Sequence, residues 1–240
     1  TYEHNGSQTT SDGFAFEVTD GTSTAVDTFD IVITLVNDNP EIVANLGGTV
    51  AEGQTLTISR SELEATDEET TSAIDLMYTI STATANGTLS IDGGATAMGL
   101  GGTFTQDDIN SDRLQYTHDA GEASSDSFAF DIDDGSTGST TGHTFDIIVT
   151  PINDEEQISI NDGISTLEGG TVTIGRDDLL TTDVDNSPEE LTYTVTTATI
   201  NGGLTIDGGA STLGVSDTFT QDDIDLERLQ YTHDGDETET

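Results

Sequence analysis

Asp126-Ser127-Phe128-Ala129-Phe130-Asp131-Ile132-Asp133 places a large apolar residue at every second position, the pattern of a strand with one buried face. The run is not unique. Phe14-Ala15-Phe16-Glu17-Val18 is an earlier version of it, and Phe104-Thr105-Gln106-Asp107-Asp108-Ile109 returns unchanged as Phe219-Thr220-Gln221-Asp222-Asp223-Ile224. Tyr2-Glu3-His4, Tyr116-Thr117-His118 and Tyr231-Thr232-His233 also stand in register, as do the segments that begin at Asn86-Gly87 and Asn201-Gly202. A fixed period of about 115 residues marks tandem units. Each is long enough to bury a core of its own.

This period divides the chain into residues 1–39, the C-terminal part of one repeat, residues 40–155, a complete repeat, and residues 156–240, most of a following one. The final two strands of the last unit correspond to what residues 12–36 supply for the unit before it. They are expected either from chain beyond Thr240 or from another copy by strand addition. Within the complete repeat, strands are expected near 42–44, 49–51, 54–59, 75–82, 87–91, 102–105, 113–118, 126–133 and 143–151. Ser59-Arg60-Ser61-Glu62 and Thr105-Gln106-Asp107-Asp108 have the spacing of capped helical turns. Many short strands, turns rich in Asn-Gly, Asp-Gly and Gly-Gly, and no long helical pattern predict an all-β fold of β-sandwich repeats.

Composition narrows the partners. The 240 residues carry 47 acids against four cations, a formal net charge of -43. Nucleic acid and anionic membrane surfaces both need a positive footprint, so neither is expected as a partner. No cysteine is present, so no disulfide framework supports the fold. High acidity without disulfides suggests a secreted bacterial protein in salty or calcium-rich water. No signal peptide, membrane-spanning run or lipidation motif stands out.

Between units lie Val36-Asn37-Asp38-Asn39-Pro40 and its altered copy Ile152-Asn153-Asp154-Glu155-Glu156. Each is followed by a Glu-Gly pair, Glu52-Gly53 or Glu168-Gly169. The linkers resemble the Asp-x-Asn-Asp-Asn junction of cadherin repeats, with Leu35 and Pro151 where the first Asp belongs. Glu52 and Glu168 are similar to the glutamate at the base of such a repeat. Asp67-Glu68-Glu69 and Asp183-Val184-Asp185 resemble its Asp-x-Asp pair, and Asp20-Gly21 and Asp134-Gly135 its late turn. Over the whole period the resemblance is closer to cadherin-like repeats of the chondroitin-sulfate-proteoglycan type, which also occur in large bacterial surface proteins. It is carried by Phe-Thr-Gln-Asp-Asp-Ile, then Arg113-Leu114-Gln115-Tyr116, His118-Asp119, Glu122, and Asp126-x-Phe128-x-Phe130.

The resemblance implies tandem Greek-key sandwiches with Ca²⁺ held at the junctions. Its implied ligands at the first linker are Asn37, Asp38 and Asn39, with Asp67 and Glu69; Asp134, in the late turn, is a further implied ligand. At the second, Glu52, Asp119 and Glu122 would meet Asn153, Asp154, Glu155, Asp183 and Asp185. Carboxylates converging in this way repel by roughly 1–4 kcal/mol per close pair, depending on the local dielectric. Ca²⁺ relieves that repulsion and takes six to eight oxygens. The first linker is the weaker one, because Asn5 and Gln8 stand where Asp119 and Glu122 stand one repeat later.

The remaining polar residues read as structural. Arg60 corresponds to Arg176 and Arg113 to Arg228, which predicts paired, partly buried arginines. His4, His118 and His233 recur without a second His or Cys at zinc-ligand spacing. His143 is expected to be exposed. No nucleophile triad or nucleotide loop appears, and a catalytic site seldom comes in tandem copies, so no enzymatic activity is expected. The leading function is a calcium-stiffened spacer in a long extracellular adhesin or surface stalk, with neighbouring repeats as its partners. A self-assembling filament completed between copies is the alternative. A glycan- or protein-binding module with a cell-surface target is the third, disfavoured by the absence of Trp.

Overall fold

The computed structural model describes residues 1–70 and 72–236. The expected last repeat therefore runs at 237–240 outside the described residues. Its contacts divide the chain into two compact units, Thr1–Pro151 and Ile152–Thr240, so residues 1–39 group with the complete repeat.

The first unit opens with an antiparallel hairpin of β1 (Ser11–Thr19) and β2 (Thr24–Val32), in which Phe14 lies opposite Phe29. The repeat proper follows with β3 (Glu41–Asn45), β4 (Gly48–Ala51), β5 (Thr55–Thr57), β6 (Leu63–Thr66), β7 (Met77–Thr82) and β8 (Gly87–Ile91). It continues through β9 (Thr96–Met98), β10 (Thr103–Thr105), helix α1 (Gln106–Asn110), β11 (Gln115–His118), β12 (Ser125–Asp133) and β13 (Ser139–Thr150). A five-stranded sheet in the order β10-β7-β12-β13-β4 and a four-stranded sheet in the order β5-β11-β8-β9 form the β-sandwich, with β3 paired to β6 alone. Only the β13–β4 pairing in the five-stranded sheet is parallel.

The alternating residues of β12 explain the core. Phe128, Phe130 and Ile132 are buried, while the residues between them remain partly exposed. Phe128 lies opposite Phe145 of β13, their rings stacked at 5.3 Å, and Tyr78 stacks on Phe104 at 4.8 Å. Pairs of this geometry add to area burial by about 0.5–1.5 kcal/mol each. Two short strands, β6 and β9, escape the sequence pattern because four and three residues cannot show a period. Ser59–Glu62 forms a single turn that is not continued as a helix. The Ser59 carbonyl accepts the N–H groups of Glu62 and Leu63, and β6 begins at once with Leu63.

The second unit repeats this plan with β14 (Gln157–Asn161), β15 (Thr171–Thr173), β16 (Leu179–Thr182), β17 (Thr192–Thr194) and β18 (Gly202–Ile206). Then come β19 (Ser211–Leu213), β20 (Thr218–Thr220), α2 (Gln221–Asp225) and β21 (Gln230–His233). Its four-stranded sheet runs β15-β21-β18-β19, the same order as in the first unit. Tyr193 stacks on Phe219 at 4.9 Å, and Phe219, Ile224 and Leu229 form its buried centre.

Candidate functional site

In the first unit the linker Asn37–Asn39 is held by its own side chains. Asn37 donates from Nδ2 to Asp134 Oδ2 at 2.5 Å and to the Asp38 carbonyl at 2.8 Å. Asn39 Oδ1 accepts the Ser139 N–H at 3.1 Å. Asp134 is 4% exposed, and its other oxygen accepts the N–H groups of Ser136 and Gly138. The Asn37 amide, joined by these N–H groups, holds the Asp134 carboxyl below its ordinary value. Asp134 thus anchors the linker to the turn before β13.

The acidic turn after β6 faces the same linker. Asp67 Oδ1 accepts the N–H groups of Glu69 and Thr70, an Asx turn that aims Glu69 back at the chain. Glu69 Oε2 then accepts the Asp38 N–H at 3.2 Å. Gln8, from the loop before β1, donates to Glu68 Oε2 at 2.9 Å. Oxygens of Asp38, Glu68 and Glu69 lie within 4.8 Å of one another. Three further side-chain oxygens here, Gln8 Oε1, Asp67 Oδ2 and Glu69 Oε1, are buried with no hydrogen-bond partner among the described residues. Stranding even one such acceptor costs about 1–3 kcal/mol. All are hard oxygen donors with no nitrogen or sulfur among them, the set Ca²⁺ prefers.

The structure therefore brings Asp38, Asp67 and Glu69 together, and adds Glu68 and Gln8. Asn37, Asn39 and Asp134 lie alongside, with their side chains committed to the linker. Glu68 occupies the variable position of the Asp-x-Asp resemblance, which hid it. The unbroken acid run Asp67-Glu68-Glu69 was the available signal.

The other predicted ligands distribute by unit. In the first, Glu52 is 6% exposed and Glu122 is exposed, with carboxylate oxygens within 4.8 Å of each other. Asp119 turns to its own loop, where Oδ1 accepts the Gly121 N–H. In the second unit Asp183 Oδ1 accepts the N–H groups of Asp185 and Asn186, and Asp185 Oδ2 accepts the Asp154 N–H at 2.6 Å. This reproduces the Asp67–Glu69–Asp38 arrangement. Asn153 caps the Asp154 carbonyl as Asn37 caps that of Asp38. Glu155 is exposed.

The recurring histidines shape the neighbouring turns. His118 Nδ1 accepts the Gly53 and Ala120 N–H groups, each at 3.3 Å, and His233 Nδ1 those of Gly169 and Gly235. Each Glu-Gly pair is thus tied to its unit's histidine, and Gly53 needs its freedom at φ +65°. Arg113 bridges Asp107 and Asp108, and Arg228 reaches Asp223 at 3.2 Å. Arg60 and Arg176 are paired but not partly buried, with side chains 65% and 59% exposed. Arg60 lies along the surface to meet Glu64 four residues on, which leaves its stem in water. His143 is half-buried rather than exposed. β13 begins earlier than expected, at Ser139, and lays the ring on Phe130 at 5.7 Å with Thr140 Oγ1 2.8 Å from Nε2.

A family model described as cadherin-like matches residues 40–149 and 157–240. The extracellular matrix organizing protein FRAS1 of Homo sapiens is 31% identical over 238 residues, 92% of this chain and 6% of that protein. Extracellular matrix protein 3 of Lytechinus variegatus is 31% identical over 98% of the chain and 8% of its own length. Chondroitin sulfate proteoglycan 4 of Homo sapiens is 28% identical over 98% of the chain and 10% of its length. The chain thus spans a tenth or less of these relatives. None of these names is an enzyme's, and the chain is extracellular like its matrix relatives. No helix among the described residues is long and apolar enough to cross a membrane. Two consecutive β-sandwich units, each matched by the same model, make this chain a member of the cadherin-like family.

Proposed function

We propose that the chain is a calcium-stiffened spacer segment of a long extracellular repeat protein, an adhesin or surface stalk. The observation that carries this reading is the group of buried, unpartnered oxygens on Gln8, Asp67 and Glu69, beside the carboxylates of Asp38 and Glu68. These residues would hold the ion, and its charge would offset the repulsion among them. It would tie the loop before the hairpin to the turn after β6, so that residues 1–39 and the repeat move as one piece. Neighbouring repeats set reach and the ion sets stiffness. Calorimetry of the chain should show the first unit melting higher with Ca²⁺ than with chelator, and Glu69→Gln should remove most of that difference. An unchanged transition in the unsubstituted chain would end this reading.

A second reading, assembly between copies, is supported by the hairpin. Phe14 stacks on Phe29 at 5.3 Å in the same register as Phe128 on Phe145, yet they are 55% and 56% exposed where the latter pair is fully buried. The remaining strands of that repeat would cover this apolar face, and a second copy could supply them, as strand addition does elsewhere. Sedimentation should then show concentration-dependent association that Phe14→Ser with Phe29→Ser abolishes. Monomers throughout would exclude it.

A further inference from the structure

Three Asn-Gly steps occur in the chain, Asn5-Gly6, Asn86-Gly87 and Asn201-Gly202, and the fold treats them differently. Asn86 is tied down. Its Nδ2 donates to the Ser125 carbonyl at 3.1 Å, its N–H to Asp126 Oδ2 at 2.9 Å, and its carbonyl accepts the Tyr116 hydroxyl. Gly87 begins β8 opposite His118, where a Cβ would meet the Thr117 carbonyl at 2.5 Å. Asn201 likewise accepts the Tyr231 hydroxyl at 2.7 Å, and Gly202 begins β18 opposite His233.

Asn5-Gly6 lies in an exposed loop outside any strand, with open space around Gly6 at φ +81°. The Gly6 N–H points at His4 Nδ1, 3.4 Å away, and Asn5 Oδ1 accepts the Ser7 N–H at 3.1 Å. A base thus stands at the backbone nitrogen, and a donor stands at the oxygen of the carbonyl carbon that this nitrogen can attack.

We propose that Asn5 is a site of spontaneous deamidation in the folded protein, water being the only co-reactant. His4 takes the Gly6 proton as the Gly6 nitrogen attacks Asn5 Cγ. The N–Cγ bond forms, negative charge on Oδ1 is met by the Ser7 N–H, and the Cγ–Nδ2 bond breaks. The side-chain amide leaves as ammonia, carrying the proton His4 had taken. Water then opens the cyclic imide at either carbonyl, leaving aspartate or isoaspartate. No oxidation state changes. The aspartate product is the residue already present at the equivalent positions, as in His118-Asp119 and His233-Asp234. Gly6 and Ser7 of the same loop line a cavity with Asp38, so the new charge arises within a residue or two of that cavity's wall.

Peptide mapping of the intact chain after prolonged incubation at neutral pH tests this. Reaching Asn86 or Asn201 requires a strand end to open, so Asn5 should convert faster than both by on the order of tenfold or more. In urea the three rates should converge. His4→Ala should slow conversion at Asn5 alone. Equal rates in the folded protein, a lead for Asn5 that persists in urea, or an unchanged rate in His4→Ala would each overturn the inference.

Discussion

Gln106 is 3% exposed, an unusual place for an amide that sequence statistics put on the surface. Its Oε1 accepts both the Ala65 N–H at 2.9 Å and the Tyr78 hydroxyl at 2.6 Å, and its Nε2 donates to Asn110. Gln221 does the same in the second unit for the Thr181 N–H, the Tyr193 hydroxyl and Asp225. One side chain therefore joins β6, β7 and α1 across the end of the sandwich. Gln106→Leu keeps the bulk but strands two buried donors, each costing about 1–3 kcal/mol. Tyr78→Phe strands nothing, since Gln106 retains the Ala65 N–H, and should cost about 1 kcal/mol or less. The double variant should therefore lose less than the sum of its parts, which urea titration of the four proteins would measure. Burial also pushes the Tyr78 hydroxyl well above its ordinary value. A raised value means stability held below the unfolded tyrosine pKa near 10 and lost as the pH climbs past it, so Tyr78→Phe should blunt alkaline unfolding.

The helices are single turns, and both are fixed by capping boxes. Thr105 Oγ1 accepts the Asp108 N–H while Asp108 accepts the Thr105 N–H, and Thr220 with Asp223 repeats the exchange. Burial alone would raise the Asp108 and Asp223 carboxyls. The Thr hydroxyl and N–H, with Arg113 or Arg228, outweigh that and hold both below their ordinary value. For a depressed carboxylate, stability is present above the unfolded pKa near 4 and is lost as the pH falls through the folded value. Asp108→Asn should thus cost about 1 kcal/mol at neutral pH, and its denaturation midpoint should converge with that of the unsubstituted chain in acid. These turns were legible, since Thr-x-x-Asp before an apolar run announces them, as was the sandwich core from the alternation of Phe128, Phe130 and Ile132. Ser59–Glu62 carries the same signal and forms no helix, because Leu63 and Ala65 are needed in β6 to cover the core. The resemblance to the cadherin Asp-x-Asp pair pointed to Asp67 and Glu69 but not to Glu68 or Gln8. Which way a side chain points in a three-residue turn depends on hydrogen bonds that only the folded loop makes.

At the scale of the molecule, two effects of added cations must be told apart. A net charge of -43 on a compact chain repels itself, and any salt relieves this by screening, with a range of about 10 Å at 0.1 M. Sodium should therefore raise the melting temperatures of both units smoothly and without saturation at low concentration. A bound Ca²⁺ behaves differently. It contributes as the logarithm of its concentration over its dissociation constant, about 2.7 kcal/mol at a hundredfold excess. For chains of this size that is a shift of roughly 5–10 °C. Magnesium serves as the control, because it matches the charge but demands near-ideal octahedral geometry and gives up water reluctantly. A loop site built from Gln8, Asp38, Asp67, Glu68 and Glu69, as proposed, would suit the larger, more tolerant ion. At constant ionic strength, calorimetry should show a calcium increment in the first unit that magnesium does not match. Glu69→Gln should erase that increment while leaving the sodium response in place. Equal responses to the two divalent ions would assign the whole effect to screening and leave the acidic turn after β6 as a solvated surface.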